Sequence, residues 1–483
     1  MTVLVWFRRD LRVHDHPALR AALDRGEDLV PVFCFDDRLL GGRHASGPRT
    51  QFLLDCLADL DGSLRARGSG LVVRRGPPER ELPQLARHVG ARAIEFTAEI
   101  SPFGRQRDER VARACEEAEI ALRAHPGIAA VDDIAEIRTN AGRPFTVFSP
   151  FHRAWLHVPR REPIGAPRKL PPLPSNLSCG RIPRLEALGL EQEVAEPSPG
   201  GESPARERLR RFLAGRVRSY ESRRDALDRK TTSRLSPYLH FGCVSPREVE
   251  QRLPRGVGAD AFRRQLCWRD FYHHVLFHFP RNARSEFQDR YRGSIRWSHA
   301  TRAFEAWKQG CTGYPLVDAG MRQLRREGWM HNRARLIAGS FLTKDLGIDW
   351  RWGERWFMRL LVDGDEANNN GNWQWVASVG VDPQPAFRRI YNPARQMERY
   401  DPDGRYVRTH VSELRDVPRE YLPEPWRMPV EVQQRVGCVI GQDYPGPIVD
   451  HSQARQEALA RFAEAKLPRG GSSTKEGRWP PRG

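Results

Sequence analysis

The chain has 483 residues, with 79 Lys and Arg against 61 Asp and Glu, and a net charge of +18. That length exceeds what one hydrophobic core usually supports, so two domains are expected, and the basic balance points to a polyanionic partner, nucleic acid first. No run of about 18 apolar residues occurs, which excludes a spanning helix, and eight scattered cysteines without a CxxC pair read as reduced thiols of a cytoplasmic protein.

The N-terminus passes directly into Val3 to Phe7, a strand pattern with no signal-peptide character. Further β-rich runs at Leu29 to Phe35, Leu71 to Arg74 and Ala93 to Phe96 alternate with helical stretches such as Arg49 to Arg67, which predicts a parallel α/β sheet over 1–130. Residues 131–205 are expected to be an interdomain linker. Its later part is Pro-rich, from Pro159 to Pro174 and Pro197 to Pro204, and reads as an extended connector without a core. From 206 to 467 strand signals vanish, and Ala205 to Leu213, Ala261 to Phe279, Thr301 to Lys308, Pro315 to Gly328 and His331 to Leu346 have helical periodicity, so this domain is expected to be all-helical. Residues 468–483 read as a disordered basic tail. The fold class is therefore an N-terminal parallel-sheet α/β domain followed by a helical one.

Several familiar sites are excluded. Neither GxxxxGK[ST] nor GxGxxG after a strand is present, so the sheet lacks the usual phosphate cradles. His274 and His278 have metal-compatible spacing but no HExxH glutamate, and read as packing histidines; no metal site is expected. Asp363-Gly-Asp-Glu lacks the glycine and closing glutamate of a calcium loop. The stretch from Asp363 to Trp375 is rich in Asn and Gly, poor helix formers, and is expected to be a loop or broken helix whose amides contact a planar ligand. Asn332, Arg335 and Leu336 share a helical face, where Arg335 needs a carboxylate and Asp363 is the candidate; a structural ion pair and a ligand site would use this pair alike.

Five motifs in series narrow the reading: Lys230-Thr-Thr-Ser-Arg-Leu-Ser-Pro-Tyr-Leu239, Trp268-Arg-Asp-Phe271, Thr312 to Arg322, Gly328-Trp-Met-His-Asn-Arg333 and Asn369-Asn-Gly-Asn-Trp-Gln-Trp375. With the opening Trp6-Phe-Arg-Arg-Asp-Leu-Arg12, they resemble the photolyase/cryptochrome family over roughly residues 1–465, closest to its class I cyclobutane-dimer branch. The resemblance implies a light-driven DNA repair enzyme with FAD in the helical domain. Around the cofactor it places Tyr220, Thr232, Ser233, Arg234, Leu235, Ser236, Phe262, Arg269, Asn332, Arg335, Asp363, Asp365 and Asn369. Asn369 would face flavin N5, where an amide cannot deliver a proton as Asp can, which favours the anionic reduced flavin.

Trp373, Trp350 and Trp297 would form the proximal, middle and distal members of an electron-hopping chain, with packing as the alternative role of each. Trp268 and Trp375 would sandwich a flipped pyrimidine dimer in damaged DNA, with Arg224, Gln265, Asn332, Arg333, Leu336, Gln396 and one of Arg388 or Arg389 near the lesion or its phosphates. Three positions depart from the class I pattern: Gln265 replaces a glutamate, Leu336 replaces a methionine, and the Arg388-Arg389 pair has one arginine more. Residues 96–105 lack a clear acidic match for a folate antenna, so a deazaflavin is preferred, with a flavin or an empty site as alternatives. No membrane or obligate protein partner is implied, and a monomer is expected. The rival reading is a cryptochrome-like photoreceptor, or a photolyase for another lesion.

Overall fold

The computed structural model describes residues 2–25, 28–42, 45–228, 231–381 and 384–465; the tail read over 468–483 lies outside the described residues. Strands β1 (Thr2–Phe7), β2 (Asp28–Phe35), β3 (Val72–Arg75), β4 (Ala91–Thr97) and β5 (Ala121–His125) form one sheet in the order β3-β2-β1-β4-β5. All pairings are parallel, and Trp6 lies opposite Val32 on one side and Phe96 on the other. Along β1, Val3, Val5 and Phe7 enter one core while Leu4 and Trp6 enter another. Burial on both faces is why these strands read as continuous apolar runs. Strand β5 escaped the sequence reading because it is an edge strand with a polar pattern. It is tied to β4 by Arg123 and His125, which meet Glu95 at 3.1 and 2.5 Å.

Strand order reverses beside β1, so the crevice of the sheet opens where β1 and β4 end. Arg8, Arg9 and Asp10 follow β1 there, and the helical domain comes close. Gly242 has φ +64° and a Cβ there would lie 2.0 Å from the Arg9 carbonyl oxygen, so only glycine permits this approach. Arg12, fully buried, donates to the Gly242 carbonyl at 2.9 Å. One hydrophobic core runs from β1 and the helix Gly47–Arg65 into Phe212, Tyr238 and Phe262 of the helical domain.

The segment 131–205 is more than a bare connector. Helix Phe148–His157 packs Phe148, Phe151 and Trp155 with Phe271 and Val275 of the long helix Val257–His278, and the Trp155 indole donates to Asp270 at 3.0 Å. Further on, Leu170, Leu177, Leu185, Leu188 and Val194 are buried, so the extended chain is pinned by isolated leucines spaced among prolines. Because those leucines lack helical or strand period, the sequence showed only the prolines.

In the helical domain Asn332–Ser340 continues into a π-turn, Phe341–Asp345, and is followed by helices Trp350–Leu360 and Glu366–Ala377. The last corrects the expected loop or broken helix: from Glu366 onward the Asn- and Gly-rich stretch is one unbroken helix. Asp365 caps it, accepting from the Asn368 amide at 2.9 Å. Its amide side chains are tied down rather than competing with the backbone, Asn369 to the Glu354 carbonyl at 3.0 Å and Gln374 to Asn370 at 3.1 Å. Gly371 lies where a Cβ would fall 2.1 Å from the Tyr272 ring, so it marks helix contact and not a turn. His274, read as a packing residue, uses both ring nitrogens, on the Ile134 carbonyl and the Phe145 amide at 2.9 and 3.0 Å.

Candidate functional site

A cavity of about 400 Å³ opens between Val257–His278, Asn332–Ser340, Trp350–Leu360, Glu366–Ala377 and the loop 231–235. The loop supplies Thr232, Ser233, Arg234 and Leu235, Ser236 opens the helix that follows, and Tyr220 also lines the cavity. Phe262 and Arg269 come from the long helix, Asn332 and Arg335 from Asn332–Ser340, Asp363 and Asp365 from the turn before Glu366–Ala377, and Asn369 from that helix. The structure thus brings all thirteen residues expected around a cofactor to one cavity.

Their charges are organised. Arg335 donates to Asp363 Oδ2 at 2.8 Å and to the Met330 carbonyl at 2.9 Å. The second oxygen, Asp363 Oδ1, is buried without a hydrogen-bond partner. A buried carboxylate oxygen left open is costly, and a ligand N–H would satisfy it. Asp365 accepts from Arg9 at 2.5 Å and meets His273 at 3.1 Å. Burial alone would raise its pKa, but His273 and Arg9 hold it well below the usual carboxylate range. Its two oxygens are thus oriented by Arg9, His273 and Asn368. Arg9 belongs to the α/β domain and was not anticipated; nothing local connects it with position 365. Arg234, at φ +52°, pairs with Glu327 at 2.8 Å and lies over the ring of Trp329, another lining residue, at 4.1 Å.

Of the residues expected near a DNA lesion, Gln265, Trp268, Asn332, Leu336 and Trp375 line the same cavity. Trp268 stacks on Phe148 at 3.7 Å and 4°, and Trp375 carries the Arg389 guanidinium at 4.0 Å, so each ring is backed on one face. Arg388 is exposed and bonds Gln384, whereas Arg389 is buried, which separates the two arginines that sequence left ambiguous. Arg224 and Arg333 lie outside the cavity; Arg333 pairs with Asp225 at 2.8 Å and covers Tyr400. Gln396 lines a separate groove with Arg395, Trp426 and Arg455.

Trp373 is buried with its ring against Gly353, Phe357 at 4.9 Å and Trp307 at 6.2 Å. Trp350, buried, starts the helix that carries Gly353, and its indole N–H points to Glu286 at 3.4 Å. Trp297 packs on Phe462 at 6.3 Å. Neither of these two reaches the cavity lining. A Cβ at Gly353 would lie 2.2 Å from Trp373 Cη2, so Gly353→Ala should destabilise the protein by about 1–3 kcal/mol. A lowered thermal midpoint with altered Trp fluorescence is the expected result.

Two family descriptions cover the chain: DNA photolyase matches residues 3–173, and FAD binding domain of DNA photolyase matches residues 262–464. The chain belongs to the DNA photolyase family. It is 42% identical to a deoxyribodipyrimidine photo-lyase of Streptomyces griseus, over 96% of this chain and 98% of that one. A class III photolyase structure from Agrobacterium tumefaciens shares 36% identity at TM-score 0.90, covering 96% of this chain and 98% of its own. An archaeal photolyase structure from Sulfolobus tokodaii, described with two FAD molecules, shares 31% at TM-score 0.83, covering 96% and 100%. The open carboxylate oxygen and polar loop fit the FAD that the family domain binds.

Four histidines of this photolyase-family chain, His240 in the cavity wall and His274, His331 and His410 elsewhere, have pKa values pushed down from 6.5 to about 4, chiefly by burial. Between pH 6.5 and 4 the unfolded chain binds protons the folded chain refuses, so stability falls as pH falls. At pH 5 each histidine should cost up to about 2 kcal/mol relative to pH 7.5. Thermal midpoints measured at the two pH values test this, and a higher midpoint at pH 5 would contradict it.

Proposed function

We propose that this protein repairs cyclobutane pyrimidine dimers in DNA, driven by light. The observation that carries the reading is the meeting, in one cavity, of the cofactor set around Asp363 with two indoles, Trp268 and Trp375, each backed on one face. An indole that lines the cavity and is backed in this way can stack on a base turned out of the duplex. Held by the residues around Asp363, a reduced FAD would supply light-driven one-electron chemistry to the dimer without net redox change.

The chain's own residues then have defined tasks. Asp363, fixed by Arg335, offers Oδ1 to an N–H of the cofactor. Asn369 is oriented by its bond to the Glu354 carbonyl, so its Oδ1 is the atom left for the cavity and accepts where a reduced flavin carries a proton. Gln265 can donate to and accept from the lesion in place of a carboxylate. Exposed Arg388 is proposed for a backbone phosphate. Trp373, with Trp350 and Trp297 behind it, is proposed as the electron entry route for oxidised cofactor.

For the antenna we propose a deazaflavin over a folate. Glu99, the acidic residue of 96–105, is buried between Arg9 and Arg107 at 3.8 Å each, which supports its absence from a folate site. Titrating the reduced holo-protein with oligonucleotides carrying a cyclobutane dimer, a (6-4) product or no lesion tests the substrate. Tightest binding to the dimer is expected; preference for the (6-4) product would overturn it.

A further inference from the structure

Every side chain lining the cavity comes from residue 220 onward, yet the α/β domain reaches its wall. Arg9, which follows β1, donates to Asp365 Oδ2 at 2.5 Å, and its Nε donates to the His240 carbonyl at 3.1 Å. The same guanidinium stands 3.2 Å from His240 Nδ1, and both Asp365 and His240 line the cavity. Arg49, also of the α/β domain, donates to the Met358 carbonyl, and a Cβ at Gly364 would lie 2.7 Å from its Nη1, so it packs against the turn that carries Asp363 and Asp365. Beside Arg9 the Leu11 amide donates to the Phe241 carbonyl at 3.1 Å, a backbone bond between the two domains.

Asp365 connects these contacts to the shape of the cavity. Buried, it caps the helix Glu366–Ala377 by accepting from the Asn368 amide at 2.9 Å on Oδ1, while Oδ2 goes to Arg9. That helix carries Asn369, Trp373 and Trp375 into the cavity. Burial and then the charge of Arg9 push the His240 ring down to about 4, so at neutral pH His240 is uncharged and Asp365 is balanced by Arg9. Taking the arginine from such a buried pair leaves the carboxylate to find another partner or move. We propose that Arg9 is a positioning residue of the cofactor cavity supplied by the α/β domain: it fixes Asp365 and His240, so that cofactor binding and docking of the two domains form one linked equilibrium. The linkage is reciprocal, and whatever docking adds to cofactor affinity, bound cofactor adds to docking. The inference rests on the flavin reading of the cavity.

Two measurements on the full-length holo-protein test it. In the first, FAD affinity is read from the fluorescence of flavin released on dilution. Arg9→Met should weaken it about tenfold, and Arg9→Lys, which keeps a cation for Asp365, by less than about threefold. Asp365→Asn should cost about threefold less in the Arg9→Met background than alone, because the two residues act as a pair. Ser245→Ala, which removes a bond from the helical domain to Asp15 of the α/β domain away from the cavity, should leave FAD affinity within about twofold of wild type. Unchanged affinity in folded Arg9→Met, equal costs of Asp365→Asn in the two backgrounds, or as large a loss in Ser245→Ala as in Arg9→Met would each overturn the inference. The second measurement needs no variant. Hydrogen exchange at the Leu11 amide of the wild-type protein should quicken about tenfold when FAD is removed. An equal rate with and without FAD would overturn the linkage even if Arg9→Met does not fold. Purified protein that holds no FAD would instead defeat the flavin reading beneath it.

Discussion

Trp373→Phe should cut photoreduction of the oxidised cofactor at least tenfold and leave repair by chemically reduced enzyme largely intact. Phenylalanine keeps an aromatic ring against Phe357 and Trp307, so folding should change by no more than a few degrees of thermal midpoint, but phenylalanine lacks the low oxidation potential of an indole. The split between the two readouts separates an electron-transfer role from packing, since a packing defect would reduce both. Stopped photoreduction together with retained repair is the expected pattern, and unchanged photoreduction would remove Trp373 from the electron route.

Arg335→Met should cost more in cofactor than in any other property. Asp363, whose side chain is 4% exposed, would then have neither oxygen paired by Arg335, and breaking such a pair from one side destabilises by about 3 kcal/mol. Without the guanidinium the carboxylate loses the contact that aims Oδ1 at a cofactor N–H. The purified variant should be nearly colourless, with FAD affinity lowered about a hundredfold or more. Asp363→Asn with Arg335 intact should show a smaller loss, because an amide still accepts. Full flavin content in Arg335→Met would show that the pair is structural only.

How far the site was legible depended on how local its signals are. Thr232 to Ser236, Asn332 with Arg335, and Asp363 to Trp375 are short runs whose residue types carry their chemistry, and they converge on one cavity. Arg9 was not legible as a partner of Asp365, because the two are joined only by the docking of two domains around Gly242. Likewise Phe148 and Arg389, which back Trp268 and Trp375, come from segments that sequence assigned to a linker and to an ambiguous arginine pair. The helix Glu366–Ala377 was read as a loop or broken helix because propensity weighs Asn and Gly by their freedom to leave a helix. Here the Asp365 cap, the Asn369 bond to Glu354 and the contact of Gly371 with Tyr272 take that freedom away. The edge strand β5 was missed for the opposite reason, since its hold on the sheet is polar.

The central claim is that one cavity holds both an electron source and a flipped dimer, and its most direct measurement is the restoration of thymines in an oligonucleotide carrying one thymine cyclobutane dimer, incubated with reduced protein in blue light and in darkness. Restoration in light and none in darkness is the expected result. No restoration in light, by protein shown to hold reduced FAD, would contradict it.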